Sequence, residues 1–127
     1  MPSPSRRITT ARPLDMAATL APLRHGGLDP AYRTAQDGTV WRATLVASGS
    51  ATLSLKQVGP QSIDACVWGD GADEVWAGLP ALLGELDDIP PFDPVPGPVR
   101  DAYRRYRNVR VPRSGRVLEA LIPTILE

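Results

Sequence analysis

The sequence predicts an α+β fold: a curved, mostly antiparallel sheet of about five strands with two covering helices, followed by one or two C-terminal helices. Three observations predict it. Apolar residues switch from helical to alternating spacing near Tyr32 and keep alternating as far as Trp68. Turn signals at Asp37-Gly38, Ser48-Gly49 and Gly59-Pro60 cut that stretch into successive short strands. Segments with three-to-four-residue apolar spacing lie before and after it. With 127 residues and 43% hydrophobic content, the chain has enough apolar side chains for one modest core.

The elements follow in order. A strand is expected around Arg7 to Arg12, ended by Pro13. Asp15 suits the N-cap of a short helix with Met16, Leu20 and Leu23 on one face, stopped by Pro22 and Gly26-Gly27. Asp37-Gly38 predicts a two-residue hairpin between Tyr32–Gln36 and Thr39–Ala47. In the second of these strands Trp41, Ala43 and Leu45 share one face and Arg42 and Thr44 the other. Leu53 and Leu55 then alternate with Thr52, Ser54 and Lys56, and Ile63, Ala65 and Val67 with Asp64, Cys66 and Trp68. One face of this meander needs helices to cover it. A helix with Val75, Trp76, Leu79, Leu82 and Leu83 on its buried side follows; Pro80 is expected to kink or split it, and Gly84 to cap it.

The proline-rich stretch Asp87 to Pro98 reads as a linker. The expected organisation is therefore an N-terminal α+β domain over residues 1–86, a linker over 87–98, and the beginning of a helical domain over 99–127. Val99, Ala102, Tyr103 and Tyr106 form a helical stripe after the linker. A last helix beyond Pro112 carries Leu118, Leu121, Ile122 and Ile125 at i, i+3, i+4 and i+7. That stripe needs a partner surface, no capping glycine follows it, and the expectation is a front part of a longer protein. Residues 99–127 are accordingly expected to add little to the stability of the sheet domain.

Charge is balanced, with 14 basic and 14 acidic side chains, but unevenly spread. Residues 57–99 hold eight acidic residues and no Lys or Arg, whereas residues 100–116 hold seven arginines against Asp101. A single cysteine, Cys66, excludes an intrachain disulfide. Residues 1–10 lack the apolar run of a signal peptide, and no stretch is long and apolar enough for a membrane helix. A soluble, cytoplasmic protein is expected, with no membrane partner.

Inventory excludes most catalytic chemistry. One histidine, His25, and one cysteine, Cys66, cannot build a His/Cys zinc site or a Cys-His pair. Cys66 reads as a sheet residue and His25 as part of a helix end. Asp87-Asp88 are adjacent linker residues that point apart. Gly69-Asp70-Gly71 follows a strand and opens a helix, but Glu74 stands where a third fingerprint glycine is needed, and the preceding sheet is antiparallel. No catalytic, cofactor-binding or metal-ligating residue is assigned, and no cofactor is expected. The basic segment is different: Arg100, Arg104, Arg105 and Arg107 surround the Val99/Tyr103/Tyr106 stripe and are the candidate DNA-phosphate contacts.

The run Val117-Leu118-Glu119-Ala120-Leu121-Ile122-Pro123-Thr124-Ile125-Leu126-Glu127 resembles the opening helix of the catalytic domain in DNA-3-methyladenine glycosylase II-type enzymes of the helix-hairpin-helix superfamily. Pro13-Leu14-Asp15, Trp68-Gly69-Asp70-Gly71-Ala72, Leu79-Pro80-Ala81-Leu82-Leu83-Gly84, Asp87-Asp88 and Phe92-Asp93-Pro94 resemble the N-terminal region of actinobacterial-type relatives, in the same order and spacing. The resemblance implies a TATA-binding-protein-like half-fold without catalytic residues, attached to a helical domain that supplies the phosphate-gripping hairpin and the catalytic Asp. It implies base-excision repair of alkylated purines such as 3-methyladenine, with damaged double-stranded DNA and that C-terminal helical domain as partners. Neither the hairpin nor the Asp falls within these residues. Two other readings remain open: a free-standing nucleic-acid or protein-interaction module with an Arg-rich flank, and a curved sheet enclosing a small ligand with Trp41 and Trp68 lining its pocket, the alternative for those two aromatics being a core or sheet-packing role.

Overall fold

The computed structural model describes residues 5–88 and 91–126. The parts of the expectations that fall on residues 1–4, on 89–90 of the proline-rich linker and on Glu127 lie outside the described residues.

Five strands form one antiparallel sheet: β1 (Ser5–Thr9), β2 (Tyr32–Thr34), β3 (Val40–Val46), β4 (Gly49–Gly59) and β5 (Ser62–Trp68). Their spatial order is β1-β5-β4-β3-β2, so β2 to β5 run as a meander and β1 closes against the far side of β5. Helices α1 (Met16–Leu20) and α2 (Ala72–Leu82) supply the other half of the core; α3 (Pro98–Tyr106) and α4 (Val117–Leu126) follow. The fold is α+β, as the change of apolar period predicts.

Alternation places Ala51, Leu53 and Leu55 of β4 and Ile63, Ala65 and Val67 of β5 on the buried face. Met16 and Leu20 of α1 and Val75, Leu79, Leu82 and Leu83 of the α2 region close over them in one cluster. The Asp15 carboxylate accepts the Ala18 N–H at 3.1 Å, the N-cap bond its side chain was expected to make. After α1 a 3-10 turn at Ala21–Leu23 takes Pro22 in its first positions, and Arg24 and Asp29 hold the following loop through its backbone.

Three local expectations change. The β2–β3 connection is a three-residue loop: the Ala35 N–H bonds to the Thr39 carbonyl, and the Gly38 N–H to the Ala35 carbonyl. Only Gly38 takes a positive φ, +87°, so the loop is a turn followed by a left-handed glycine, a geometry that spares Asp37 a strained backbone. Second, α2 runs unbroken through Pro80 to Leu82. Pro80 removes one intrahelical donor, but it sits in the last turn, two residues from the helix end, where its own carbonyl accepts from Glu85 and that of Ala81 accepts from Gly84. Third, a core role does not hold for Trp41, which is 40% exposed. Register pairs Arg42 with Leu53 and Thr44 with Ala51, so Val40, Arg42, Thr44 and Val46 face the helices, whereas Trp41, Ala43 and Leu45 lie on the open face.

Beyond the proline-rich stretch the chain returns to the sheet unit. The Asn108 carbonyl accepts from Asp15 N–H, Arg110 N–H donates to the buried Thr19 hydroxyl, and Arg113 N–H donates to the Ala81 carbonyl. Arg110 is itself buried, its guanidinium spanning the carbonyls of Arg107 and Val109. Residues 108–113 therefore seal one edge of the core.

Candidate nucleic-acid interface

Helix α3 starts at Gly97-Pro98, where proline loses no needed donor, carries Asp101 in its first turn and Arg104 and Arg105 in its last, as the helix dipole favours. Helical spacing aligns Arg100, Arg104 and the C-capping Arg107 along one stripe at i, i+4 and i+7; Arg105 lies off that stripe, nearer Asp101. Among the described residues none of the four forms an ion pair. The apolar side of α3 is not covered. Val99 and Tyr106 are exposed, and Tyr103 meets Phe92 edge-to-face with ring centroids 5.2 Å apart.

Two other arginines of the basic segment, Arg110 and Arg116, serve the fold. Arg110 is the clamp described above, and burial draws its pKa down from the usual arginine value. Arg116 donates to Glu74 at 2.8 Å, and its buried Nε has no hydrogen-bond partner. Glu74 at the same time accepts the N–H groups of Ala47 and Ser48 and the Ser48 hydroxyl, closing the β3–β4 turn from the first turn of α2. The Gly69-Asp70-Gly71 turn packs on that hairpin: Gly71 N–H donates to the Ser50 carbonyl, and a Cβ on Gly71 would collide with Val46 and the Gly49 carbonyl. Close backbone packing accounts for these glycines.

Helix α4 lies over the open end of β3. Glu119 is held by Arg42 at 2.7 Å and by the Thr44 hydroxyl at 2.6 Å. Sequence reasoning missed this group, because Arg42 and Thr44 look like the solvent side of an alternating strand. The signal that could have found it is the pairing itself, since an Arg opposite Leu53 needs a carboxylate from somewhere. On the outer side of α4, Leu118, Leu121, Ile122 and Ile125 remain 67, 45, 51 and 69% exposed. Val117 and Leu126 extend the same surface, so about half of the helix circumference is uninterrupted apolar residue. Leu45 and Pro123 continue it in a groove of about 680 Å³.

Trp41 and Trp68 lie on the open face of the sheet, and Trp41 lines a groove of about 490 Å³ with Tyr32, Arg33 and Thr52. The two tryptophans stack on each other across β4, with centroids 5.8 Å apart and planes within 10°. The groove of about 460 Å³ beside α4 is lined by His25, Asp29, Tyr32, Arg42, Thr44 and Glu119, among others. Among the described residues no cluster of His, Cys, Asp or Glu is placed to hold a metal, and no helix is long and apolar enough to cross a membrane.

No protein-family model, curated protein or solved structure matches this chain.

Proposed function

We propose that the chain is the non-catalytic N-terminal part of a base-excision-repair DNA glycosylase that removes alkylated purines such as 3-methyladenine. The observation that carries this reading is the outer face of α4. A surface helix of a finished globule presents an apolar stripe to its own core, yet α4 turns Glu119, Pro123 and Thr124 toward the sheet and about half its circumference, all apolar, away from it. Two or more further helices are needed to enclose an arc that wide. The opening helix of a helical glycosylase domain has that requirement, and the α4 run carries the resemblance to it. The strand and helix order β-α-β-β-β-β-α also agrees with the half-fold that the resemblance implies.

In this reading the sheet unit contributes no reacting group. The helical domain supplies the phosphate-gripping hairpin, the pocket for the flipped base and the carboxylate. Co-expression with a helical domain of that glycosylase family tests it: the two pieces should co-purify and release 3-methyladenine from methylated DNA, while the chain alone releases none. Failure to associate while α4 keeps its helix, or base release by the chain alone that is lost on mutating it, would overturn the proposal.

A second reading, a free-standing nucleic-acid module, draws on the Arg100/Arg104/Arg107 stripe, none of whose residues forms an ion pair among the described residues. Salt-dependent binding of undamaged duplex by the chain alone, without association with the helical domain, would favour it.

A further inference from the structure

Helix α4 rests on the sheet through charged and hydroxyl groups. We infer that Glu119 is the positioning residue that sets where α4 stands, through a latch with Arg42 and Thr44 that takes the place of apolar packing. Three observations lead there. Arg42 lies on the core-facing side of β3 between Val40 and Val46, with its side chain only 11% exposed, so its charge requires a partner close by. Glu119 supplies one, using its first carboxylate oxygen for Arg42 and its second for the Thr44 hydroxyl, at 2.7 and 2.6 Å. Grooves of about 460 and 330 Å³ flank this contact, so the helix is not seated by close side-chain packing.

A second arm supports the first. Arg116, immediately before α4, binds Glu74, which also closes the β3–β4 turn. One arm therefore anchors on β3 and the other on α2, at the glutamate that closes the β3–β4 turn. The helix follows β3 and α2 as a unit, and its apolar arc is presented in a single orientation. Two carboxylates hold it, and the surface that faces away carries no charge that could hold it otherwise. Nothing in this inference depends on DNA or on the glycosylase reading.

The test is a distance measurement in the full chain. With Cys66→Ser as background, Thr52→Cys on the open face of β4 and Ile125→Cys on α4 carry two spin labels. The starting chain should give one narrow distance distribution. Glu119→Ala should broaden it toward longer distances, and so, to a smaller extent, should Thr44→Val, which removes the hydroxyl arm and leaves the carboxylate in place. Far-UV circular dichroism and the fluorescence of the Trp41/Trp68 stack should stay unchanged in both cases, which separates release of α4 from loss of the sheet. A distribution that stays narrow in Glu119→Ala would overturn the inference. If Glu119→Ala does not fold, Thr44→Val decides, and an unchanged distribution there would overturn it.

Discussion

The α-carbon of Gly84 lies directly against the side chain of Arg110. Gly84 is in the left-handed region, φ +81°, two residues past the end of α2, and a Cβ there would run into the Cβ of Arg110. A glycine that closes a helix thus also makes room for the buried arginine that ties residues 108–113 to α1 and α2. Those two demands act on the same atom, since it is the missing Cβ that permits both the backbone angle and the close approach.

Gly84→Ala should therefore cost more than a helix cap alone. The left-handed backbone contributes about 1–2 kcal/mol and the displacement of Arg110 adds to it. Arg110→Ala should destabilise by roughly 2–3 kcal/mol, because several backbone carbonyls lose their donor. Denaturant melts of the two variants and of the double variant check this; the double should fall short of the sum, since both act on one contact. A chain shortened to end at Pro94 should likewise melt at lower temperature than the full chain, because the Thr19 hydroxyl loses the Arg110 N–H and Asp15 loses the Asn108 carbonyl.

The faces of the sheet are tested by a pair of leucines. Leu53 is fully buried opposite Arg42, whereas Leu45 is 69% exposed on the open side of β3. Leu53→Ala should cost about 2–5 kcal/mol and Leu45→Ser about 0.5 kcal/mol or less, measured by thermal unfolding. Equal costs would mean that β3 is inserted the other way round.

Acid should destabilise the fold through Glu74 and Asp64. Loss of hydration pushes the Glu74 carboxyl up, but bonds from the Ser48 hydroxyl, from the N–H groups of Ser48 and Ala47, and the Arg116 charge outweigh it and hold the group below the ordinary glutamate value. The Arg7 hydrogen bond does the same for Asp64. A carboxylate whose folded value lies below its unfolded one stabilises above the ordinary carboxylate range of about 4, and that contribution disappears as pH falls through the folded value. The melting temperature should therefore be flat near neutrality and drop on acidification from about pH 4 downward. In Glu74→Gln the drop should be shallower.

DNA binding, under either functional reading, should show its basic contacts in the salt dependence. Each arginine that meets a phosphate contributes about −0.9 to the log–log slope of affinity against salt. Neutralising Arg100, Arg104 and Arg107 together should make the slope shallower by roughly 3, and neutralising Arg110 should leave it unchanged at low temperature where the fold persists. Fluorescence anisotropy with a duplex at several salt concentrations measures both.

How much of this was legible beforehand depends on the range of the interactions concerned. The α+β class, the Asp15 cap, the glycine past α2 and the exposed stripe on α4 follow from neighbouring residues, because period and capping act within a few positions. The inward turn of Arg42 and Thr44 does not. Strand alternation says that two sets of side chains part company, but not which set faces the core. What decides it is the register that sets Arg42 against Leu53, together with Glu119, 77 residues further along the chain. The basic segment shows the same division. Its seven arginines are visible as a cluster of charge, but only folding separates Arg110, drawn inside by the neighbouring carbonyls of Arg107 and Val109 and the distant one of Pro13, and Arg116, held by Glu74, from the stripe on α3, which forms no ion pair among the described residues. Local spacing determined the elements and their amphipathic faces; which charges became internal was decided by the tertiary structure, since a buried charge is tolerated only where distant parts of the chain bring its partner.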